Sequence, residues 1–174
     1  MKSQHLLLPA LLLLGGAGAA FADGAAVPAA SRVTVAFVQP DKFTDCKRSS
    51  WEGTSMDLVN QLQQFMQATA ERYVPPGRHL DIKVTDVDLA GEFEPQLGPQ
   101  FDDVRIVKAI YPPRITLDFS VTDAKGAVVA SGHREITDLA YQMRSAWPTD
   151  DYLRYEKDLL RDWISSEFQG LKAG

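Results

Sequence analysis

The sequence predicts an α+β fold: a mostly antiparallel sheet of four to five strands with two helices on one face, in the order strand, helix, strand, strand, strand, helix. Three observations predict it. Apolar and polar residues alternate over 32–38, 79–89 and 114–122, the period of a half-buried strand. Apolar residues recur every three to four positions over 54–73 and again from about 151 to 168, the period of a helix with one buried stripe. Turn residues separate these runs and no repeat or interior linker divides them, so they build one domain, placed at 32–170.

The residues ahead of that domain follow the order of a secretory signal. Lys2 gives a positive start, 6–14 is an apolar run, and Ala20-Phe21-Ala22 offers a small-x-small cleavage site. Cleavage is expected after Ala22, so 1–22 is a removable signal and 174 − 22 = 152 residues remain. An uncleaved anchor is the competing reading. Pro9, Gly15, Gly16 and Gly18 weigh against it, because they interrupt the run short of the roughly 20 apolar residues that span a bilayer. Residues 23–31, rich in Ala, Gly and Pro, read as a flexible leader. No later segment is apolar for long enough to span, so the expected product is exported, periplasmic or secreted, without a membrane span.

Within the domain each element has a local reason. Val33, Val35 and Phe37 give the first strand its inward side. In 54–73, Leu58, Val59, Leu62, Phe65, Met66, Ala70 and Tyr73 form the apolar stripe, while Gln63, Gln67 and Glu71 face away. Thr54 with Asp57 three residues on resembles a capping box, and Pro75 ends the helix. In 79–89 the period slips: Leu80, Ile82 and Val84 share one parity, Val87 and Leu89 the other. Either a bulge near Thr85 or Asp86 moves the register, or Asp86 and Asp88 point inward toward arginines. The bulge is preferred, because an inward charge has to be paired and hydrogen-bonded. Residues 91–103 form a loop and 104–110 a short strand stopped by Pro112-Pro113. Ile115, Leu117, Phe119 and Val121 then alternate inward, 123–126 is a turn, and 127–137 returns as a hairpin. A loop over 138–150 precedes the last helix, capped by Asp150 or Asp151, with Tyr152, Tyr155, Leu159, Leu160, Trp163, Ile164 and Phe168 on its apolar side and Gly170 at its stop.

Charge excludes one class of partner and localises another. The chain carries 18 Lys+Arg against 23 Asp+Glu, a net of -5, which lacks the basic footprint of a nucleic-acid binder. Loss of Lys2 with the signal makes this 17 − 23 = -6. Between Asp81 and Asp103 lie seven acids and one base, Lys83, a local 1 − 7 = -6. The whole excess therefore sits on one segment. Its acids Asp86, Asp88, Glu92, Glu94, Asp102 and Asp103, with Trp147 in a Pro-containing loop as an anchor for a partner or sugar ring, are the candidate binding residues.

Crowded carboxylates suit calcium, and an exported protein meets millimolar calcium. An EF-hand match fails: Ala90 stands where a third oxygen ligand belongs and Leu97 where the closing Glu belongs. The plainer reading is a solvated acidic loop, balanced in part by Arg105, Arg114 and Arg134. Paired carboxylates also suit glycan hydrolysis, which depends on a separation the sequence does not supply. Nucleophilic chemistry has little to build on. His79 and His133 lie in predicted strands, Ser131 and Asp138 near His133 make no triad by adjacency alone, and Cys46 is a lone thiol that an intermolecular disulfide would also explain. One cysteine likewise excludes a disulfide framework and a multi-cysteine zinc site. No catalytic residue is assigned.

Four stretches together resemble one exported bacterial family, catalogued as domain of unknown function three thousand and sixteen. They are Val35-x-Phe37 with Pro40, Phe43, Thr44 and Asp45; Pro75-Pro76-Gly77 on through Asp86-Val87-Asp88-Leu89-Ala90-Gly91 to Glu94-Pro95; Asp103-Val104-Arg105 with Tyr111-Pro112-Pro113-Arg114; and Leu153-x-Tyr155-Glu156-Lys157 with Trp163. The resemblance runs from about 33 to 168. It implies an envelope or secreted location and a single domain, with no established activity, ligand or catalytic residue, and Cys46 lies outside the shared pattern. The leading expectation is a non-enzymatic periplasmic domain that binds an envelope component, a protein partner or a cation, through the acidic segment. The alternative is an Asp/Glu-dependent hydrolase acting on an envelope polymer. No cofactor is expected, calcium being the one candidate ion, and the oligomeric state stays open.

Overall fold

The computed structural model describes residues 31–143 and 150–173. The expected signal, nearly all of the leader, and Trp147 lie outside the described residues. Strands β1 (Val33–Phe37), β2 (Arg78–Asp88), β5 (Arg114–Asp123) and β6 (Val128–Thr137) form a four-stranded sheet in the order β1-β2-β5-β6. Two short strands, β3 (Glu92–Phe93) and β4 (Arg105–Ile106), pair with each other in a separate two-stranded sheet. Helices α1 (Met56–Ala70) and α2 (Arg154–Phe168) complete an α+β architecture.

The sheet is antiparallel at β2/β5 and β5/β6 but parallel at β1/β2, where α1 carries the chain back between the two strands. Because β1 and β2 run the same way, the loops 38–55, 89–113 and 138–153 all emerge at one end of the sheet. One apolar core joins both helices to a single sheet face: Val33 and Val35, Leu80, Ile82 and Val84, and Ile115, Leu117, Phe119 and Val121 meet Leu58, Leu62 and Met66 of α1 and Leu160, Trp163 and Ile164 of α2. The alternating residues expected to point inward in β5 are therefore all buried. The period slip in β2 is a bulge, with the β2/β5 register shifting between Val84 and Asp86. The extra residue returns Val87 to the core and leaves Asp86 and Asp88 on the other side.

Several local expectations are corrected. Thr54 does not cap α1: its Oγ1 donates to the Pro40 carbonyl at 2.6 Å, and Ser55 stands at the cap without a side-chain bond. Gln63 and Gln67 do not simply face solvent. Their amides donate to the carbonyls of Val35 at 2.7 Å and Val33 at 3.2 Å, covering the free edge of β1. Glu71 is likewise engaged, by Arg32 at 2.8 Å. The strand expected over 104–110 shrinks to β4, since the main sheet already closes β2 directly on β5. α2 begins at Arg154, later than its apolar period suggests, because Asp151 accepts from the Leu153 amide at 3.0 Å in a turn before the helix. Past Gly170 the chain continues in the 3-10 turn Gln169–Ala173.

Leu117 lies at the centre of this core, fully buried on β5. Leu117→Ala is expected to cost about 3–5 kcal/mol in urea unfolding with the m-value unchanged; a loss under about 1 kcal/mol would contradict the packing described.

Candidate functional site

The three loops at the end of the sheet are tied together by one guanidinium. Arg105 on β4 is 8% exposed, and its Nη1 donates to Asp45 Oδ2 at 2.7 Å and to the Gly91 carbonyl at 2.9 Å. Its Nη2 donates to the Lys47 carbonyl at 3.1 Å and its Nε to Tyr152 Oη at 2.9 Å, while Phe93 lies 4.5 Å beneath the guanidinium carbon. Tyr152 Oη in turn donates to the Lys47 carbonyl at 3.1 Å. Burial alone opposes the charge on Arg105, but the Asp45 bond and charge, with Tyr152, leave its pKa raised, so the ion pair persists. Gly91 permits the close approach: its φ is 84°, and a Cβ there would stand 2.9 Å from the Ile106 carbonyl oxygen and 3.0 Å from Arg105 Cγ.

Around this hub the acids of the 81–103 segment take different places. The Thr44 amide and hydroxyl each donate to the Asp86 carboxylate at 2.7 Å, which orders the loop after β1. Asp88 pairs with Asp45 across an isolated parallel bridge. With Glu92, Ile110, Tyr111 and Arg114, Asp88 lines a cavity of about 100 Å³. Burial first, then the charges of Asp45, Asp86 and Glu92, push its carboxyl up to about 6 against the pull of Arg114. Glu92 accepts from the Phe93 amide at 2.9 Å. Glu94 is structural: it is buried, Lys108 Nζ donates to it at 2.6 and 2.7 Å and Tyr111 Oη at 2.8 Å, and these bonds hold its pKa low. Asp102 and Asp103 follow the 3-10 turn Pro99–Phe101 and form no ion pair among the described residues. Of the other arginines expected to balance this segment, Arg114 pulls on Asp88 from the same cavity and also pairs with Glu135 at 3.7 Å, while Arg134 pairs with Glu167 at 2.7 Å. Among the described residues no group of three or more His, Cys, Asp or Glu is placed to hold a metal ion.

Apolar side chains crowd the same loops. Trp51 is 74% exposed, Ile110 72% and Met143 88%, and Leu97, Phe101, Val104 and Leu139 are exposed beside them in sequence. Among the described residues, every large exposed apolar side chain except Val128 and Val129 belongs to the loops at this end or to the first residue of α1. Trp51 in a polar loop was the readable sign. Glu156, which the sequence singles out only within the family pattern and not as a site residue, is buried, and its Oε1 accepts from the Ala90 amide at 2.7 Å. It sits three, four and seven residues before Leu159, Leu160 and Trp163, on the buried stripe, and that spacing was visible.

The nucleophile candidates come apart. Cys46 is buried, and burial first, then Asp45 and Glu156, push its thiol up to about 12, so it is neither a nucleophile nor an outward disulfide partner. His133 Nδ1 lies 2.7 Å from Asp118, across β5/β6 on the uncovered face of the sheet, whereas Asp138 accepts from the Ala140 amide.

Asp88 yields a pH prediction. Its folded pKa of about 6 lies above the ordinary 3.8, so its contribution is complete below about pH 4 and is lost as pH rises through 6. Asp88→Asn is expected to raise stability at neutral pH by about 1–2 kcal/mol, solvent screening reducing the full effect, and to leave it unchanged near pH 4. Urea unfolding at the two pH values checks it; an equal effect at both contradicts it.

A search of the curated proteins gives no match. The model of the family described as Protein of unknown function (DUF3016) matches residues 31–166, which takes in every described strand, α1 and all of α2 but its last two residues. By that match the chain belongs to the DUF3016 family.

Proposed function

We propose that this is a non-enzymatic, exported domain of the periplasm that binds a protein of the envelope through the loop end of its sheet. One observation carries the reading: the exposed apolar side chains and most of the acidic segment gather at the same end of the sheet, Asp86 and Asp88 at the end of β2 and the later acids in the stretch that follows it. Soluble surfaces that gather apolar groups in this way are commonly interaction sites, and acids around them select a partner with basic residues. Asp86, Asp88 and Glu92 supply the charge; Trp51, Phe101 and Ile110 supply the apolar contact. Arg105 supplies stiffness, which lowers the ordering cost of association.

The hydrolase alternative draws less support. Glu94 is held under Lys108 and Tyr111, Asp86 is held by Thr44, and the cavity beside Asp88 is about 100 Å³, the size of a side-chain head and not of a polymer segment.

The test is a pull-down from envelope extract with three baits: wild type, Asp86→Asn/Asp88→Asn/Glu92→Gln, and Trp51→Ala/Ile110→Ser. We expect at least one envelope protein that wild type recovers and that both variants recover at least about tenfold less, a loss of about 1.4 kcal/mol or more. Equal recovery of every protein by all three baits would overturn the reading. Running the baits in millimolar calcium and in chelator tests the cation version: recovery that collapses in chelator assigns the acids to an ion, and recovery that persists assigns them to the partner.

A further inference from the structure

Glu156 stands in the first turn of α2 with 1% of its surface exposed. Its Oε1 accepts from the Ala90 amide at 2.7 Å, which joins the start of α2 to the residue that follows β2 by two positions. Its Oε2 is buried with no hydrogen-bond partner among the described residues. A buried carboxylate is tolerated when a cation or several donors meet it. Here the Ala90 amide, the residue's own amide and the Arg105 charge act on the group, but no hydrogen bond reaches Oε2 among the described residues. Arg105 acts on Glu156 from β4, but it directs its hydrogen bonds to Asp45, Gly91, Lys47 and Tyr152. Asp151 acts on it from the turn before α2 and opposes its ionisation, and Cys46 from the loop after β1 and Tyr141 from the turn after β6 face the same interior.

We propose that Glu156 is a proton-controlled latch: with its proton it holds α2 closed on the end of β2, and on losing that proton to solvent it loosens the loop end of the sheet. In the closed state the carboxyl is neutral, Oε1 keeps the Ala90 bond and Oε2 carries the hydrogen. In the charged state Oε2 holds a buried charge without a donor, and the chain relieves it by opening a path for water. Burial is the main cause that pushes the carboxyl up to about 7, while the Ala90 bond and Arg105 pull it down. A folded pKa above the ordinary 4.5 means that closure is fully stabilised below about pH 4.5 and weakens as pH rises through 7. The consequence for a partner rests on the binding function proposed above; the latch itself does not.

The test therefore uses the free protein. Amide exchange and the chemical shift of Ala90 are followed by NMR from about pH 5.5 to about pH 8.5 in wild type, Glu156→Gln and Asp88→Asn. In wild type the Ala90 shift should titrate with a midpoint near 7 and its protection factor should fall at least about tenfold across the range. Glu156→Gln, which keeps the acceptor and cannot ionise, should stay protected throughout, and Asp88→Asn should keep the wild-type step. A flat wild-type profile overturns the latch, as does a step that survives in Glu156→Gln or vanishes in Asp88→Asn. Because no partner is present, failure here leaves the binding proposal standing, and failure of the pull-down leaves the latch standing.

Discussion

Everything at the loop end of this domain depends on how Arg105 is satisfied. A guanidinium offers five N–H groups in one plane, and burying it without acceptors is prohibitive. The chain meets that demand from separate stretches. Asp45 and Lys47 come from the loop after β1, Gly91 from the turn after β2, and Tyr152 from the approach to α2. Such a pair adds little net stability over an apolar replacement, but removing one member strands the other, which typically costs 3–5 kcal/mol. Its effect is geometric: loops that share a planar ligand set share one arrangement.

Seven acids in one segment look like a solvated surface, yet they divide by environment. Glu94 is folded into the structure by Lys108 and Tyr111, Asp86 orders Thr44, and Asp88 is held among like charges where ionisation is disfavoured. Glu156 and Asp88 both resist ionisation, one through near-complete burial and the other through half-burial beside other acids. The loop end thus holds two carboxyls that burial and neighbouring acids push up toward neutrality, while the four-stranded sheet beneath it rests on an apolar core.

Much of this was readable in advance where the governing interaction is local. Alternation fixes the inward side of β5, and the parity slip between Val84 and Val87 predicts a bulge because only one extra residue reconciles the two halves of β2. Contacts between distant residues were not readable. Asp45 and Arg105 are 60 positions apart, and Ala90 and Glu156 are 66 apart. Arg105 accordingly looked like a counter-charge for its own segment. Thr54 looked like a cap because its partner, the Pro40 carbonyl, belongs to a loop whose path the periodicity does not set. The parallel β1/β2 pairing was missed for a related reason: a strand's pattern reports which face is buried and not which neighbour it takes. Of the candidate site, the acids and the family pattern were legible; the division of those acids into structural and exposed was not.

The most direct test of the frame is peptide-resolved hydrogen exchange on Arg105→Met, with Arg105→Lys as a second variant should the first fold poorly. Loss of the planar fork should remove protection together from the segments around Asp45 to Lys47, Ala90 to Phe93 and Tyr152 to Glu156, while Ile115 to Val121 of β5 stays protected. Loss confined to β4 and its immediate neighbours, with the other two loops unchanged, would contradict the account.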